Sequence, residues 1–189
     1  MEDGSFLSGQ ILIAMPGIGD PRFERAVVLI CAHDESHAMG IAVNRPVEGL
    51  TVPDLLKRLE VKSTIEIPPD LVLMGGPVER ERGFVLHTND YMAGDHSLPI
   101  GDDVSLTATR EVLEAMAGHN SAPRRSVLAL GYAGWGPGQL EREIRENVWL
   151  TCEADESLIF DGDHGQKWSK ALAKLGVDAS LLSATAGRA

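Results

Sequence analysis

One stretch contributes most to the fold prediction: Val127-Leu128-Ala129-Leu130-Gly131-Tyr132-Ala133-Gly134-Trp135-Gly136-Pro137-Gly138. Its first four residues are apolar and predict a central β-strand. The glycines that follow permit positive φ angles and close backbone approach, so we expect a tight turn there. A helix is predicted from about 137 to 146. The stretch therefore forms a strand-to-helix corner, the position at which open α/β sheets commonly carry binding sites.

Strands and helices are interspersed along the rest of the chain, without the regular alternation of βαβ units. The runs 26–31 and 39–44 flank a polar turn and predict an antiparallel hairpin. A helical turn is expected at Asp20-Pro21-Arg22-Phe23, and Thr51 with Asp54 forms a capping box that begins a helix. The fold class is therefore α+β with a mixed sheet. The remaining predicted segments are strands at 12–15, 71–74, 83–87, 148–151 and 158–160 and helices at 108–117 and 165–175.

Composition places the chain among acidic globular proteins. Its 189 residues are within the usual size of one domain, and hydrophobic residues make up 43%. We therefore expect one domain across 1–189, with an ordered core over about 6–182. The formal net charge is −11, and the 17 Lys and Arg residues are scattered, which argues against direct binding to nucleic acid.

Neither a membrane span nor a secretory leader is predicted. The chain begins Met1-Glu2-Asp3, without the basic region and apolar core of a signal peptide, and its apolar stretches are far shorter than the roughly 20 residues of a membrane helix. Cys31 and Cys152 are the only cysteines, too few for a disulfide framework or a zinc set. Neither has a neighbour that would stabilise a thiolate, so we expect two unreactive thiols in a reduced, cytoplasmic protein.

The glycine-rich corner does not match the familiar phosphate loops. It lacks the Lys and Ser/Thr of GxxxxGK[ST], and its spacing differs from GxGxxG. Pro137 removes a backbone donor, and Glu141 and Glu143 place negative charge in the first helical turns, where a phosphate would be repelled. Two alternatives stay open. The corner is either a turn in which its aromatic residues pack, or a site at which Trp135 and Gln139 contact a neutral or cationic ligand or a protein partner.

The histidines and the acidic motifs predict no metal site. His33 and His37 are separated by the turn-like Asp34-Glu35-Ser36, so a solvated loop is favoured over a metal pair. Asp161-Gly162-Asp163-His164 resembles part of a calcium loop but lacks the later ligands, which favours a turn with a helix cap. The sequence contains no GxSxG or HExxH motif, and no cofactor is expected.

Arginines near strand ends are the strongest candidates for a ligand site. Arg22 and Arg45 each lie beside a proline at an element boundary, and Arg82 follows Gly75-Gly76-Pro77 closely. Three guanidinium groups could gather an anionic ligand through paired hydrogen bonds, and the alternative is salt bridging within this acidic protein. His87 ends a predicted strand, where it is either an acid, a base or a ligand, or a structural histidine.

Several stretches of the chain resemble the AlgH/YqgE family of largely uncharacterised bacterial proteins. The resemblance covers about residues 6 to 182, and the glycine-rich corner is its most specific part. It implies a compact α+β fold with a mixed, bifurcated sheet, a small barrel-like portion and surrounding helices, in a cytoplasmic bacterial protein. One branch of the family is called a transcriptional regulator of exopolysaccharide production, and no catalytic residues are carried over. The matching stretches are Ile13-Ala14-Met15-Pro16, Asp20-Pro21-Arg22-Phe23, Met39-Gly40 through Asn44-Arg45-Pro46, Gly75-Gly76-Pro77-Val78, Arg82-Gly83-Phe84-Val85-Leu86-His87, Gly131 through Glu141, and Asn147-Val148-Trp149-Leu150.

The primary hypothesis is a regulatory protein that binds an unknown small ligand or a protein partner without catalysis. The alternative is an enzyme that acts on a small anionic substrate, with the arginines as binders and His87 as acid or base. A third hypothesis, direct DNA-linked regulation, is disfavoured by the negative charge. The candidate ligand or partner site comprises Arg22, Asn44, Arg45, Arg82, His87, Trp135 and Gln139.

Overall fold

The computed structural model describes residues 6–92, 94–119 and 121–179. This part of the chain contains mixed helices and strands, as the sequence predicts. The strands are β1 (Gln10–Ala14), β2 (Val27–His33), β3 (Ala38–Ala42), β4 (Pro46–Thr51), β5 (Leu71–Met74), β6 (Val78–Thr88), β7 (Ser97–Ile100), β8 (Val104–Thr107), β9 (Ser126–Trp135) and β10 (Trp149–Glu153). The α-helices are α1 (Val52–Arg58), α2 (Arg110–Met116), α3 (Gln139–Arg145), α4 (Glu156–Phe160) and α5 (Lys167–Lys174).

Strand β9 is the centre of the sheet, because it pairs with three other strands. It runs antiparallel to β6 over Ser126–Leu130, parallel to β5 at Ala129 and Leu130, and antiparallel to β3 over Ala133–Trp135. The strand order is β10-β1-β2-β3-β9-β6-β8-β7, with β5 attached to β9 and β4 attached to β5. The result is a curled, almost entirely antiparallel sheet with the form of a half-barrel.

Strand β2 is buried on both faces, as its continuous apolar sequence predicts. Alternate residues point to opposite faces of a strand, so β2 contributes to two separate clusters. Val27 and Leu29 pack in the cluster that contains Trp168 of α5, whereas Val28 packs in the cluster that contains Leu140 of α3. Helices α5 and α3 therefore pack on opposite faces of β2.

The predicted tight turn at Gly131 is wrong, because β9 continues through Gly131 to Trp135. Gly131 has φ +77°, a conformation that L side chains rarely adopt, and its backbone lies directly against that of Gly75-Gly76. A Cβ atom at Gly76 would overlap the backbone of Tyr132, and one at Gly75 would overlap the carbonyl of Gly131. The glycines thus permit two backbone segments to touch, and the turn itself lies at 136–138.

Two other differences from the predicted elements have local causes. Residues 158–160 form the end of helix α4 instead of a strand, because the Asp155 carboxylate accepts the Leu158 N–H at 2.8 Å and caps the helix. Strands β4, β7 and β8 were not predicted, and β7 contains Pro99, which weakens any strand signal. By contrast, the capping box of Thr51 and Asp54 and the hairpin of β2 with β3 are confirmed.

No helix within the described ranges is long and apolar enough to cross a membrane.

Lys167, the first residue of α5, is completely buried. Its Nζ donates to the carbonyl oxygens of Val43 and Ile159, each at 2.8 Å. Burial lowers the pKa of the Lys167 ammonium to about 7, because the charged form loses its hydration. A neutral amine still has two N–H groups and can satisfy both carbonyls.

We expect Gly76→Ala to destabilise the fold by about 3 kcal/mol or more, the upper end of overpacking costs, because the overlapping atoms belong to the backbone. Gly162→Ala is the control, since a Cβ atom at Gly162 meets nothing within 4 Å, and its change should stay within about 0.5 kcal/mol. Urea unfolding followed by circular dichroism measures both. Equal stabilities of the two variants would show that the contact between the two backbone segments tolerates a side chain.

The buried lysine predicts a pH-dependent stability. Its pKa is about 7 in the folded protein, against 10.5 for an ordinary lysine, so between these values the unfolded chain binds more protons. The Lys167 contribution therefore makes the free energy of unfolding rise with pH, by up to about 1.4 kcal/mol per pH unit, and becomes constant below about pH 7. Chemical denaturation from pH 7 to 9 should give a smaller slope for Lys167→Met than for the wild type. Identical slopes would contradict the lowered pKa.

Candidate functional site

A groove of about 330 Å³ lies where the turn around Phe23 meets the segment that follows β5. We call it the arginine groove. Three of its eight lining residues are arginines and none of the eight is acidic, although the chain carries a net charge of −11. The groove is lined by Arg22, Phe23, Ala42, Arg45, Met74, Gly76, Pro77 and Arg80.

Arg22 forms a two-point ion pair with Asp20 beside the groove. Its Nε lies 3.0 Å from Oδ1 and its Nη2 lies 2.8 Å from Oδ2 of the carboxylate. Asp20 Oδ1 also accepts the backbone N–H of Arg22 and caps the turn that follows, as the sequence predicts. The hydrogen bond to Arg22 lowers the pKa of Asp20, and the same bond raises the pKa of Arg22. The Arg22 side chain is nevertheless 62% exposed, so its guanidinium is accessible to a ligand.

Asn44 and Arg45 hold the segment that carries Arg22. Arg45 Nη1 donates to the carbonyl of Glu24 at 2.9 Å, and Nη2 donates to that of Pro21 at 3.3 Å. Asn44 Nδ2 donates to the carbonyl of Arg25 at 2.8 Å, while its Oδ1 accepts a backbone N–H from the start of β2. Asn44 thus acts behind the groove, where it fixes the backbone.

The third arginine of the groove, Arg80, was missed by the sequence analysis. Strand β6 pairs through Val78 and again from Gly83, so residues 79–82 form a bulge between the two pairings. Arg80 lines the groove from this bulge, and its side chain has no hydrogen bond or ion pair with any residue that the structure describes. The alternation Glu79-Arg80-Glu81-Arg82 gives no signal of which side chain enters the groove, because the bulge decides it.

Arg82, which the sequence analysis selected, lies outside the arginine groove. It contacts Glu79 at 3.6 Å and lies over the ring of Phe84, with 5.0 Å between the guanidinium carbon and the ring centroid. It lines a shallower surface beside the groove together with Pro77 and Arg80. Arg82 therefore flanks the groove without forming its wall.

A second cavity, of about 460 Å³, adjoins the arginine groove and shares Arg22, Phe23 and Pro77 with it. We call it the tryptophan cleft, because Trp135 and Trp149 line it. Gln139 and three charged residues of α3 and its end also line this cleft. The charged residues are Arg142, Glu143 and Glu146.

The Glu143 carboxylate organises the tryptophan cleft. It accepts hydrogen bonds from Nε1 of Trp135 at 3.0 Å, Nε1 of Trp149 at 2.9 Å and Nε2 of Gln139 at 3.0 Å. Gln139 also accepts the N–H of Gly136 at 2.9 Å. These bonds fix α3 on the sheet. Trp135 is only 6% exposed, which agrees with the alternative in which the aromatic residues of the corner pack.

His87 does not line the arginine groove or the tryptophan cleft. Its side chain is completely buried on β6, with Nδ1 at 2.9 Å from the carbonyl oxygen of Thr88 and Nε2 at 2.7 Å from Oγ1 of Thr107. Burial lowers the pKa of the His87 imidazole and favours the neutral ring. This environment is that of a structural histidine, one of the two alternatives for His87 that the sequence left open.

The other histidines occupy different environments. His33 is buried, which contradicts the predicted solvated loop: its Nδ1 accepts the N–H of Leu7 at 2.9 Å and its Nε2 lies 3.0 Å from Glu141. His37 is exposed beside Asp34, as expected. Within the described ranges, no three His, Cys, Asp or Glu side chains are grouped so that they could hold a metal ion.

Both cysteines are buried, and burial raises their thiol pKa values, that of Cys31 to about 12. At neutral pH each is therefore a thiol and not a thiolate, in agreement with the expectation that they are unreactive.

The structure therefore brings Arg22, Arg45, Trp135 and Gln139 together along one continuous depression, with Asn44 supporting it. Arg82 lies at its margin and His87 lies in the core. Arg80 lies at the site because of the bulge in β6, and Glu143 lies there because α3 packs on the sheet. Neither feature has a motif in the sequence.

Comparison with known proteins agrees with this fold. UPF0301 proteins match the whole chain. That of Caulobacter vibrioides (strain NA1000 / CB15N) is 67% identical over 188 residues, which cover 96% of the relative. That of Rhodopseudomonas palustris (strain HaA2) is 50% identical over 196 residues, which cover 89% of the relative. A crystal structure from Corynebacterium diphtheriae, 19% identical, superposes with a TM-score of 0.72 over 92% of this chain and 90% of that one, which shows a shared fold alone.

The solution structure of the AlgH protein from Pseudomonas aeruginosa is also similar to this chain. It superposes with a TM-score of 0.77 at 37% identity, covering 96% of this chain and 95% of that one. The model of the AlgH-like family matches residues 11–180, which include the arginine groove and the tryptophan cleft. The resemblance seen in the sequence is thereby confirmed, and this chain belongs to the AlgH-like family.

Proposed function

We propose that this protein is a cytoplasmic regulatory protein that binds a small anionic ligand in the arginine groove and acts without catalysis. The observation that carries the proposal is the lining of the groove, which includes Arg22, Arg45 and Arg80 and no acidic residue. Arg80 has no hydrogen-bond or ion-pair partner among the residues that the structure describes, so its guanidinium is suited to a negative group from outside.

Backbone strain beside the groove supports a binding role. Four non-glycine residues within the described ranges have positive φ, and two of them, Arg25 (φ +55°) and Glu79 (φ +47°), lie beside the groove. Each lies in one of the two segments that carry the groove arginines. Such conformations cost on the order of 1–3 kcal/mol and tend to occur at ligand clamps. Asn44 holds the first segment, and the hydroxyl of Tyr132 donates to Glu79 at 3.2 Å in the second.

We further propose that any influence on transcription is indirect, through a protein partner that responds to the ligand. The net charge of −11 opposes the phosphate backbone of DNA. The tryptophan cleft adjoins the groove and includes the exposed residues Arg142 and Glu146, which a partner could contact.

The enzyme alternative receives less support from this geometry. It requires His87 to reach the groove as an acid or base, whereas His87 is completely buried and hydrogen-bonded to Thr107. Glu143, which lines the tryptophan cleft, already accepts three hydrogen bonds, from Trp135, Trp149 and Gln139. Neither group is placed to transfer a proton to a ligand that the groove arginines hold.

The proposal predicts that a small anion stabilises the protein and that Arg80 contributes to its binding. A thermal-shift screen with inorganic phosphate, dicarboxylates and nucleotides should identify a stabilising anion, whose affinity is then measured by calorimetry. Arg80→Ala should weaken that affinity about tenfold, since a lost charge-assisted contact costs roughly 1.5 kcal/mol or more. Arg82→Ala is the matched control on the same bulge and should leave the affinity unchanged. A failure of every anion to stabilise the wild type would overturn the proposed function.

A further inference from the structure

We infer that the group bound in the arginine groove is a dianionic phosphate monoester, and that Asp20 is a built-in competitor that occupies Arg22 while the groove is empty. The inference rests on the proposed function and deepens it, because it names the class of anion and adds a role for Asp20. It is separate from the glycine-rich corner, whose own spacing and acidic helix start oppose phosphate.

The charge of the groove favours a dianion. Arg22, Arg45 and Arg80 bring three positive charges, and Asp20 returns one negative charge through its pair with Arg22. Two positive charges remain in a groove of about 330 Å³. A monocarboxylate would neutralise only half of this charge. A phosphate monoester carries close to two negative charges at pH 7 on one compact group, whereas a dicarboxylate distributes its charges over two separated groups.

The free hydrogen-bond donors of the groove also fit a phosphate. All five N–H groups of Arg80 are available, since no residue that the structure describes accepts from them. Arg22 uses Nε and Nη2 for Asp20 and keeps Nη1 unbonded, and each Nη of Arg45 makes one bond to a carbonyl and has a second N–H. A phosphate monoester has three terminal oxygens that accept from guanidinium forks, so one group can contact all three arginines.

Asp20 is positioned to compete with the ligand for Arg22. Its two carboxylate oxygens contact Nε and Nη2, the edge of the guanidinium that would otherwise grip two phosphate oxygens. The pair is exposed, with the carboxylate 33% accessible, so its strength is that of a surface ion pair and a dianion can replace it. Asparagine at this position would still accept the Arg22 N–H and cap the turn, but would lose the competing charge.

The phosphate chemistry has two possible sources, a small phosphorylated metabolite or a phosphorylated residue of a protein. The tryptophan cleft continues from the groove past Phe23 and Pro77, so there is room for more than an isolated phosphate group. Methyl phosphate and a Gly-phosphoserine-Gly tripeptide represent the two sources. Tighter binding of the tripeptide than of methyl phosphate assigns the site to a protein partner, and equal binding assigns it to a small molecule. Both results support the phosphate assignment.

The decisive experiment is an NMR titration of the full chain with methyl phosphate and with methyl sulfate, which remains a monoanion, at pH 5 and pH 7.5. The second ionisation of a phosphate monoester has a pKa of about 6, so methyl phosphate should bind several-fold more tightly at pH 7.5, while methyl sulfate should bind weakly and equally at both values. The hydrogen bond to Arg22 lowers the pKa of Asp20, so this carboxylate is charged at both pH values, and no histidine lines the groove.

Three variants complete the test. Asp20→Asn should tighten methyl phosphate binding about two- to fivefold, the range expected when a surface ion pair is released, while Arg80→Ala should weaken it about tenfold. Arg82→Ala should have no effect. A purely structural role of Asp20 predicts unchanged or weaker binding in Asp20→Asn, which would overturn the competitor role. If methyl sulfate and methyl phosphate bind equally at both pH values, the phosphate assignment is wrong, although anion binding stands. If no anion binds, the proposed function fails as well.

Discussion

The contact between the backbones of Gly75-Gly76 and Gly131-Tyr132 is the constraint on which the rest of the structure depends. At this point the segment after β5 crosses β9 too closely for any side chain. The N–H of Gly75 donates to the carbonyl of Leu130 at 2.8 Å, and its own carbonyl accepts from Ala42 at 2.8 Å, so Gly75 connects the two strands that flank it. Beyond the crossing, β9 changes partner from β5 to β3. One contact therefore determines the course of the central strand.

The arginine groove is a consequence of this crossing. Met74, Gly76 and Pro77 line the groove because the chain crosses β9 after the end of β5 instead of continuing to pair with it. The bulge of residues 79–82 follows at once, because β6 resumes its pairing with β9 only at Gly83. Arg80 is carried on this bulge, and the opposite wall is held by Asn44 and Arg45 through backbone carbonyls. Asn44 and Arg45 lie in the short connection between β3 and β4, and these hydrogen bonds to backbone carbonyls hold their side chains in place.

The parts of the fold that could be predicted from the sequence are those with a local cause. The capping box at Thr51, the buried strand β2 and the turn at Asp20 follow from neighbouring residues and agree with the structure. The course of β9 beyond Gly131 could not be predicted, because a glycine-rich run looks the same whether it turns or crosses another backbone. The apolar residues of α4 were predicted to form a strand, because the capping carboxylate of Asp155 is the only local feature that indicates a helix.

The same distinction applies to the candidate site. Arg22 and Arg45 were identified because each lies beside a proline at an element boundary, a signal visible in the sequence. The choice of Arg82 over Arg80 was wrong for the groove, because the two alternate on a bulge whose register depends on pairing with distant residues. The sequence left open whether Trp135 packs or contacts a partner, and in the structure its indole N–H donates to Glu143, eight residues later, while its ring is buried.

The acidity of the chain and the basicity of the groove act at different distances. At physiological ionic strength, fields between exposed charges decay over about 8 Å, so a ligand in the groove interacts chiefly with the three arginines. A nucleic acid covers a much larger surface and meets the negative charge that gives the chain its total of −11. A small anion avoids that repulsion because it fits within the groove. The proposed anion site is therefore compatible with the acidity of the chain and with the expected repulsion of polyanions.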